Sequence, residues 1–167
     1  MDYYMQYQGT EPGLMVRFEY PGQWKLYEER GKVETYRQVR MLGPRNHDDT
    51  YTAYFSVWGS PLKSSGGRHE NLDGLVTHYK SHLLSETQML SEQPLTVGGK
   101  RAVEVMVSYT MPPIHHKGLK AMAVPVKTLT VFLEYSPYLY ELTYSADARE
   151  YEQSAKAFQR LLKTFHL

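Results

Sequence analysis

The segment Val126-Lys-Thr-Leu-Thr-Val-Phe-Leu-Glu-Tyr135 is followed by a Ser136-Pro137 corner, by Tyr138-Leu-Tyr-Glu-Leu-Thr-Tyr144, and by an amphipathic run that reaches Phe165. Apolar side chains occur on both alternating faces of the first two segments. Strands of this kind belong to a sheet that is covered on both sides. The second segment is the return strand of the first.

The run after Tyr144 has the period of a helix. Asp147 is expected to cap this helix, with Glu150 three residues further on as its partner. One stripe of apolar side chains recurs at helical spacing and should be buried: Tyr151, Ala155, Phe158, Leu162 and Phe165. Two strands and a closing helix are therefore predicted between Val126 and Phe165.

The rest of the chain adds further strands and one more helix. A glycine turn is expected at Gly98-Gly99, and alternating or continuous apolar runs predict strands at about 14–20, 24–30, 33–41, 51–58, 95–97 and 101–110. From Asn71 the apolar residues recur at helical spacing, which predicts a helix that ends at about Leu90. Residues 1–13 show no period and are expected to form a flexible arm before a single domain at 14–167.

Composition limits both the size and the chemistry of the protein. Its 167 residues suit one domain, which buries roughly 70% of the unfolded surface. The absence of cysteine excludes thiol catalysis, thiolate metal sites and disulfides, and 19 basic residues against 18 acidic ones give no overall attraction to nucleic acid or an anionic membrane. No apolar run approaches the roughly 20 residues that cross a bilayer. A soluble protein is expected, in the cytoplasm or, if a leader has been removed, in the periplasm.

One flank of the helix that begins at Asn71 carries two histidines. His78 and His82 are four residues apart, and Glu86 continues the row. Two imidazoles and a carboxylate can hold zinc or non-haem iron. The glutamate of the HExxH motif is missing, however, and on a helical wheel His78 lies well toward solvent while His82 lies at the boundary of the apolar stripe. An ordinary polar flank is preferred and no metal site is assigned, with these three residues kept as the metal candidates.

The longest connection in the chain directly precedes Val126. Residues 111–125 link two strands that should pair, and a connection of about fifteen residues in a compact domain is often functional or mobile. It contains no acidic residue, so it can clamp an acidic or phosphorylated surface or dock through its apolar side chains. The alternative is a solvated hairpin tip. The partner-binding candidates are Ile114, His115, His116, Lys117, Leu119, Lys120 and Met122.

Two further patterns have simpler explanations. Arg37, Arg40 and Arg45 are close enough in sequence to form a small basic patch, but a half-exposed antiparallel strand shows the same alternation. No recognition motif for nucleic acid accompanies them, and no nucleic-acid partner is expected. His47 and the two aspartates that follow it have the composition of a solvated turn rather than of a metal site.

Several stretches of the chain match one known family. They are Phe18-Glu-Tyr-Pro21-Gly-Gln-Trp24, the mid-chain helix, Val97-Gly98-Gly99-Lys100-Arg101-Ala102, Leu142-Thr-Tyr144-Ser-Ala146 and Phe158-Gln-Arg-Leu-Leu-Lys-Thr-Phe165. In these stretches the chain resembles the PsbP and Mog1-like proteins, over about Leu14 to Leu167 and as an uncharacterised bacterial-type member. The resemblance implies an α+β fold, an α/β/α sandwich around a central antiparallel sheet of about six or seven strands.

The resemblance also implies a function through binding. The family includes extrinsic subunits of photosystem II and a Ran-binding nuclear transport factor, and none of the matching stretches is a catalytic signature. We therefore predict a non-enzymatic protein-binding or accessory subunit of a larger assembly, without a cofactor, whose partner is another protein or protein complex. The alternative is a metal- or small-ligand-binding protein that uses histidines of the mid-chain helix or of the 112–125 loop.

Overall fold

The computed structural model describes residues 3–30, 37–45, 52–111, 115–116, 119–120 and 123–167 of the chain. The helices in these ranges are α1 (Leu72–Ser81) and α2 (Tyr151–Thr164), and a 3-10 turn lies at Lys63–Ser65. The strands are β1 (Tyr4–Gln8), β2 (Arg17–Pro21), β3 (Lys25–Arg30), β4 (Arg37–Leu42), β5 (Ala53–Pro61), β6 (Gln88–Val97), β7 (Lys100–Met111), β8 (His115–His116), β9 (Leu119–Lys120), β10 (Val124–Tyr135) and β11 (Tyr138–Asp147).

Seven strands form one antiparallel sheet in the order β3-β4-β5-β11-β10-β7-β6. The two closing strands lie near its centre, paired with each other from Val126–Asp147 to Tyr135–Tyr138 across the Ser136-Pro137 corner. On their outer sides, β10 pairs with β7 and β11 pairs with β5. This confirms the predicted antiparallel sheet, and it places the return hairpin of β10 and β11 in the middle of it.

α2 packs on one face of the sheet. Phe158 is fully buried, and its ring centroid lies 5.3 Å from that of Phe55 and 5.6 Å from that of Tyr144. The β1–β2 ribbon lies on the same side, where Phe18 stacks on the ring of Phe165. The predicted apolar stripe of this helix is confirmed at Tyr151, Phe158, Leu162 and Phe165, with Ala155 half-buried.

The start of α2 differs from the predicted cap. The N-cap residue is Glu150, without a capping side chain, and Asp147 instead accepts hydrogen bonds from the backbone N–H and the guanidinium of Arg149 at 3.0 and 2.9 Å. These hydrogen bonds hold the pKa of Asp147 below its usual value. The capping prediction was wrong because pairing with Val126 extends β11 as far as Asp147.

α1 packs on the opposite face of the sheet. Asn71 caps the helix by accepting a hydrogen bond from the Gly74 N–H at 2.8 Å, and the carboxylate of Glu134 accepts one from the Leu72 N–H at 2.9 Å. The buried side of the helix joins Phe132 and the valines of β7 in a second apolar cluster. Helices on both faces confirm the α/β/α sandwich. In the described part of the chain, neither helix has the length and apolar character that crossing a membrane requires.

α1 is shorter than the predicted helix. It ends at Ser81, with His82 as the C-cap residue, and β6 begins at Gln88. Leu90 therefore lies in a strand, where its side chain is 46% exposed. The apolar period favoured a helix through Leu90, but pairing with β7 satisfies the backbone groups of this segment, and the tertiary contact prevails over the local pattern.

Residues 4–8 form a paired strand inside the segment that was expected to be a flexible arm. β1 pairs with β2 over its whole length, and the buried ring of Tyr7 stacks on Phe18 with centroids 5.0 Å apart. Further along, a Cβ added at Gly59 would lie 1.9 Å from the carbonyl oxygen of Gly13, so the end of the arm passes directly over β5. These contacts dock the arm against the domain, which corrects the expectation of flexibility over the described residues.

The turn between β6 and β7 follows the predicted glycine pair. Gly98 and Gly99 have φ values of 57° and 78°, and the turn they form joins β6 to β7 at the pair Val97–Lys100. Two successive positive φ angles are typical of hairpin turns that match the twist of the strands. The first part of the strand predicted at 33–41 lies outside the described residues, and the remainder is β4.

Candidate functional site

The predicted partner-binding connection begins at the end of the β7–β10 hairpin. β6 pairs with β7 only as far as Ser108, and β11 pairs with β10 only as far as Val126, whereas the β7–β10 ladder continues to Met111 and Val124. The end of the hairpin therefore projects beyond both neighbouring strands. The side chain of Met111 is 40% exposed at this position.

Two short strands give the long connection a regular element of its own. In this small ladder His115 pairs with Lys120 and His116 pairs with Leu119. Four of the seven candidate residues thus belong to this short ladder. The other three, Ile114, Lys117 and Met122, lie outside the described residues.

The histidines of α1 lie side by side, as their spacing predicts. The ring centroids of His78 and His82 are 4.0 Å apart, and Nδ1 of His82 lies 2.9 Å from both the carbonyl oxygen of His78 and Oγ of Ser81. A third ring, that of His69, lies 4.8 Å from His78. Burial and the neighbouring His78 lower the pKa of His69. The sequence did not indicate His69, because the loop before α1 brings it to the helix.

Glu86 does not continue the histidine row, because α1 ends five residues before it. Glu86 is exposed in the connection between Ser81 and Gln88. Among the residues that the structure describes, no group of three or more His, Asp or Glu side chains is arranged to hold a metal ion. His78 and His82 stack on one another.

The arginines that were candidates for a basic patch do not share one face. Arg37 and Arg40 are three residues apart in β4, so their side chains leave opposite sides of the sheet. Nε of Arg37 lies 3.3 Å from the carboxylate of Glu11, and Nη1 of Arg40 lies 3.7 Å from that of Glu29. The turn that contains His47 lies outside the described residues.

Hydroxyl groups cluster on the face of the sheet that carries α1. The hydroxyl oxygens of Thr128 and Ser145 are 2.9 Å apart, and Thr143 donates a hydrogen bond to Thr130 at 3.5 Å across the β10–β11 ladder. The structure describes four buried polar residues, and the strand registers place all of them on this face: Ser56, Thr128, Thr130 and Ser145.

A cleft of about 230 Å³ opens between the C-terminal end of α1 and this hydroxyl-bearing face. Its lining includes Tyr54 of β5, Tyr79 of α1, Tyr109 of β7, Thr128 of β10 and, at the helix end, His82. Burial raises the pKa of both Tyr79 and Tyr109. The phenols therefore keep their protons at neutral pH and are available as hydrogen-bond donors.

Glu141 adds an unusual carboxyl to the same face. In the register of β11 it lies between Phe132 of β10 and Trp58 of β5. Burial raises the pKa of Glu141 from 4.5 to about 7. This carboxyl therefore titrates close to neutral pH.

The sequence did not indicate the cleft, because its residues come from four separate elements. Tyr54, Tyr79, Tyr109 and Thr128 are spread over more than seventy positions and belong to no motif. They meet because β5 and β7 flank the central pair of strands and α1 crosses above. The chain contains fifteen tyrosines. This number favours a cluster of tyrosines somewhere in the fold, but it does not show which of them meet.

Solved structures of PsbP-like proteins share the fold of this sheet and its two opposed helices. The solution structure of PsbP (CyanoP) from Synechocystis sp. PCC 6803 has a TM-score of 0.60 to this chain and 15% identity, covering 98% of this chain and 92% of that one. This similarity confirms, at the level of the fold, the resemblance found in the sequence.

Two other bacterial structures share this fold. LpqN of Mycobacterium tuberculosis, described as involved in cell envelope biogenesis, matches with a TM-score of 0.54 and 17% identity over 99% of this chain and 90% of its own. PA94 of Pseudomonas aeruginosa, a protein of unknown function, matches with a TM-score of 0.54 and 14% identity over 94% of this chain and 92% of its own. No protein-family model and no curated protein matches the chain.

Proposed function

We propose that this protein is a non-enzymatic accessory subunit that binds another protein or protein complex through the projecting end of the β7–β10 hairpin. The observation that carries the proposal is the continuation of the β7–β10 ladder to Met111 and Val124, past the last pairs that both strands make with their neighbours. A partner can reach the end of such a projecting hairpin without contacting the core.

The residue types of the connection define the partner surface. Between residues 112 and 122 there is no Asp or Glu, so basic groups act there without an internal counter-charge. Complementary charge steers association and favours an acidic partner surface. Apolar side chains interleaved with these groups supply the contacts that exclude water. The proposed contact residues are Ile114, His115, His116, Lys117, Leu119, Lys120 and Met122.

The fold neighbours support an accessory role. One is PsbP, and another is described by a part in cell envelope biogenesis. None of the three descriptions names a catalysed reaction. A sandwich whose binding surface is a projecting hairpin suits such a role, since the core then keeps its packing whatever partner is bound.

The proposal is tested by comparing two charge-reversed variants in a pull-down from the source organism. Lys117→Glu combined with Lys120→Glu places two acids in the connection and should weaken capture of an acidic partner by about tenfold or more at low salt. The matched control is Lys156→Glu combined with Lys163→Glu, which reverses two exposed charges on α2. The partner is identified by mass spectrometry from the wild-type protein.

The expected result is one partner that the wild type and the α2 control both retain and the hairpin variant loses, with capture by the wild type declining as salt increases. Equal recovery of the partner by all three proteins would show that the interface does not include the hairpin. Recovery of no partner by the wild type, under conditions in which a reference assembly from the same cells survives, would contradict the accessory role itself.

A further inference from the structure

The cleft between the end of α1 and the sheet has the form of a small-molecule site. Tyr54, Tyr79 and Tyr109 contribute aromatic walls from three elements, and Thr128 contributes a hydroxyl from a fourth. Apolar walls with a few convergent polar groups are usual in ligand sites. Its volume of about 230 Å³ is below the roughly 300–1,000 Å³ of sites for drug-sized ligands. The cleft therefore suits a single ring rather than a nucleotide.

The lining selects against charged ligands. No Asp, Glu, Lys or Arg is among the described residues that line the cleft. Because burial raises the pKa of Tyr79 and Tyr109, these phenols also stay neutral. A charged molecule would lose hydration in the cleft, and the one guanidinium that the described residues place against its wall, that of Arg40, already lies over the Tyr54 ring at 5.6 Å from the centroid and 3.7 Å from the carboxylate of Glu29. Binding such a molecule is therefore costly.

The hydroxyl groups select for a ligand that both donates and accepts hydrogen bonds. The hydroxyl oxygens of Thr128 and Ser145 are 2.9 Å apart, and the Tyr109 hydroxyl lies beside both. Each hydroxyl can donate one hydrogen bond and accept two, and it rotates to suit its partner. A ligand with several hydroxyls of its own can satisfy such a site in either direction.

We propose that this cleft binds one neutral sugar ring. A sugar presents C–H groups on its ring faces, which pack on tyrosine rings, and hydroxyls around its edge, which face the threonine, serine and phenol oxygens. The site is separate from the residues assigned to the partner, although Tyr109 and Thr128 lie on the two strands of the same hairpin. The sugar site can therefore be tested independently of the partner interface.

The test is an NMR titration of the full-length, ¹⁵N-labelled protein with glucose, galactose and N-acetylglucosamine. At least one sugar should produce saturable amide shifts with a dissociation constant on the order of 1 mM, as expected for a ligand of about a dozen non-hydrogen atoms. The shifts should be confined to the end of α1 and to the neighbourhoods of Tyr54, Tyr109 and Thr128. The hairpin variant Lys117→Glu with Lys120→Glu should bind the sugar as the wild type does.

Three tyrosine variants locate the site. Tyr109→Phe keeps the ring and removes the hydroxyl, and should weaken the binding about tenfold. Tyr54→Phe is the second variant in case the first one unfolds, and should weaken binding in the same direction. Tyr138→Phe is the matched control, because this half-buried tyrosine packs against the apolar cluster on the other face of the sheet. Its titration should not differ from that of the wild type.

Each remaining outcome overturns the proposal. If none of the sugars gives saturable amide shifts even at sugar concentrations well above about 1 mM, the cleft is not a sugar site. If glucose 6-phosphate binds more tightly than glucose, the site prefers anions and the charge argument fails. If p-cresol binds at this cleft and the sugars do not, the site selects aromatic rings. Equal affinity in the wild type and in folded Tyr109→Phe and Tyr54→Phe would place binding elsewhere.

Discussion

The two faces of the seven-stranded sheet are built from different side chains. Under α2, the buried residues of the three strands β5, β11 and β10 are aromatic or aliphatic, from Phe55 across Tyr144 to Leu129. Under α1, the same three strands place Tyr54, Ser145 and Thr128 in one row. One face therefore stabilises the fold through apolar burial, and the other exchanges part of that stability for hydrogen-bonding groups.

The difference follows from how far each layer extends. α2 has 14 residues and works together with the β1–β2 ribbon, whereas α1 has 10 residues. The apolar cluster under α1 is centred on Phe132 and on Val105 and Val107 of β7. Hydroxyls, Glu141 and the cleft occupy the strands beside this cluster. The buried hydroxyls and the open cleft therefore both lie on the side of the shorter helix.

The largest expected effect is on the apolar face. Phe158→Ala removes a fully buried ring that contacts Phe55 and Tyr144, and should lower the free energy of unfolding by about 3–5 kcal/mol. Tyr27→Ala is the control, because Tyr27 is 45% exposed on an edge strand, and surface changes of this kind usually stay within about 0.5 kcal/mol. Urea denaturation measures both. A loss below about 2 kcal/mol for Phe158→Ala would show that the packing of α2 on the sheet contributes little to the stability of the core.

The next effect concerns Glu141 and changes with pH. The pKa of this carboxyl is raised in the folded protein from 4.5 to about 7. Its ionisation therefore opposes folding, and stability should fall as pH rises from about 4.5 to about 7, then level off. Since one pKa unit corresponds to about 1.4 kcal/mol, the loss reaches at most about 3 kcal/mol. Glu141→Gln cannot ionise and should gain stability relative to the wild type over that interval.

Urea denaturation of the wild type and of Glu141→Gln at pH 5, 6, 7 and 8 measures the difference. Subtracting the two curves cancels the contributions of the histidines and of Asp147, which are the same in both proteins. A difference that does not grow with pH would mean that Glu141 is solvated in the folded state and that this part of the face is open to water.

The smallest expected effect is that of a single hydroxyl pair. Thr128→Val removes the hydroxyl that lies 2.9 Å from the buried hydroxyl of Ser145, which keeps the Tyr109 hydroxyl beside it, and should cost about 1 kcal/mol. Ser145→Ala should cost a similar amount. The double variant removes both members of the pair and should cost less than the sum, because each single variant already loses the one hydrogen bond between them. Strictly additive losses would contradict the pairing, and with it the view that these hydroxyls form one connected group.

Most of the architecture was predictable from local patterns. Alternation identified β10 and β11, the glycine pair identified the β6–β7 turn, and helical spacing identified the buried stripe of α2. The errors occurred where a tertiary contact competes with a local pattern. Leu90 continued the helical period but lies in β6, and Tyr7 lay in an aperiodic segment but is buried against Phe18.

The two proposed functional surfaces also differ in whether the sequence could indicate them. The partner-binding connection could be proposed from sequence because its length and its lack of acidic residues are properties of one continuous segment. The cleft could not, because Tyr54 and Tyr109 come together only when β5 and β7 take their places on either side of the central pair. His69 likewise joins His78 through the path of a loop.

Hydrophobic periodicity was sufficient for the strands, the helices and the two-sided cover of the sheet, because each of these depends on which side chains recur along one segment. The end of α1, the docking of β1 and the position of the hydroxyl groups under the cleft depended on tertiary structure. Strand neighbours and backbone pairing are set by contacts between residues far apart in the chain, and alternation shows that a residue shares a face without showing which residues lie beside it.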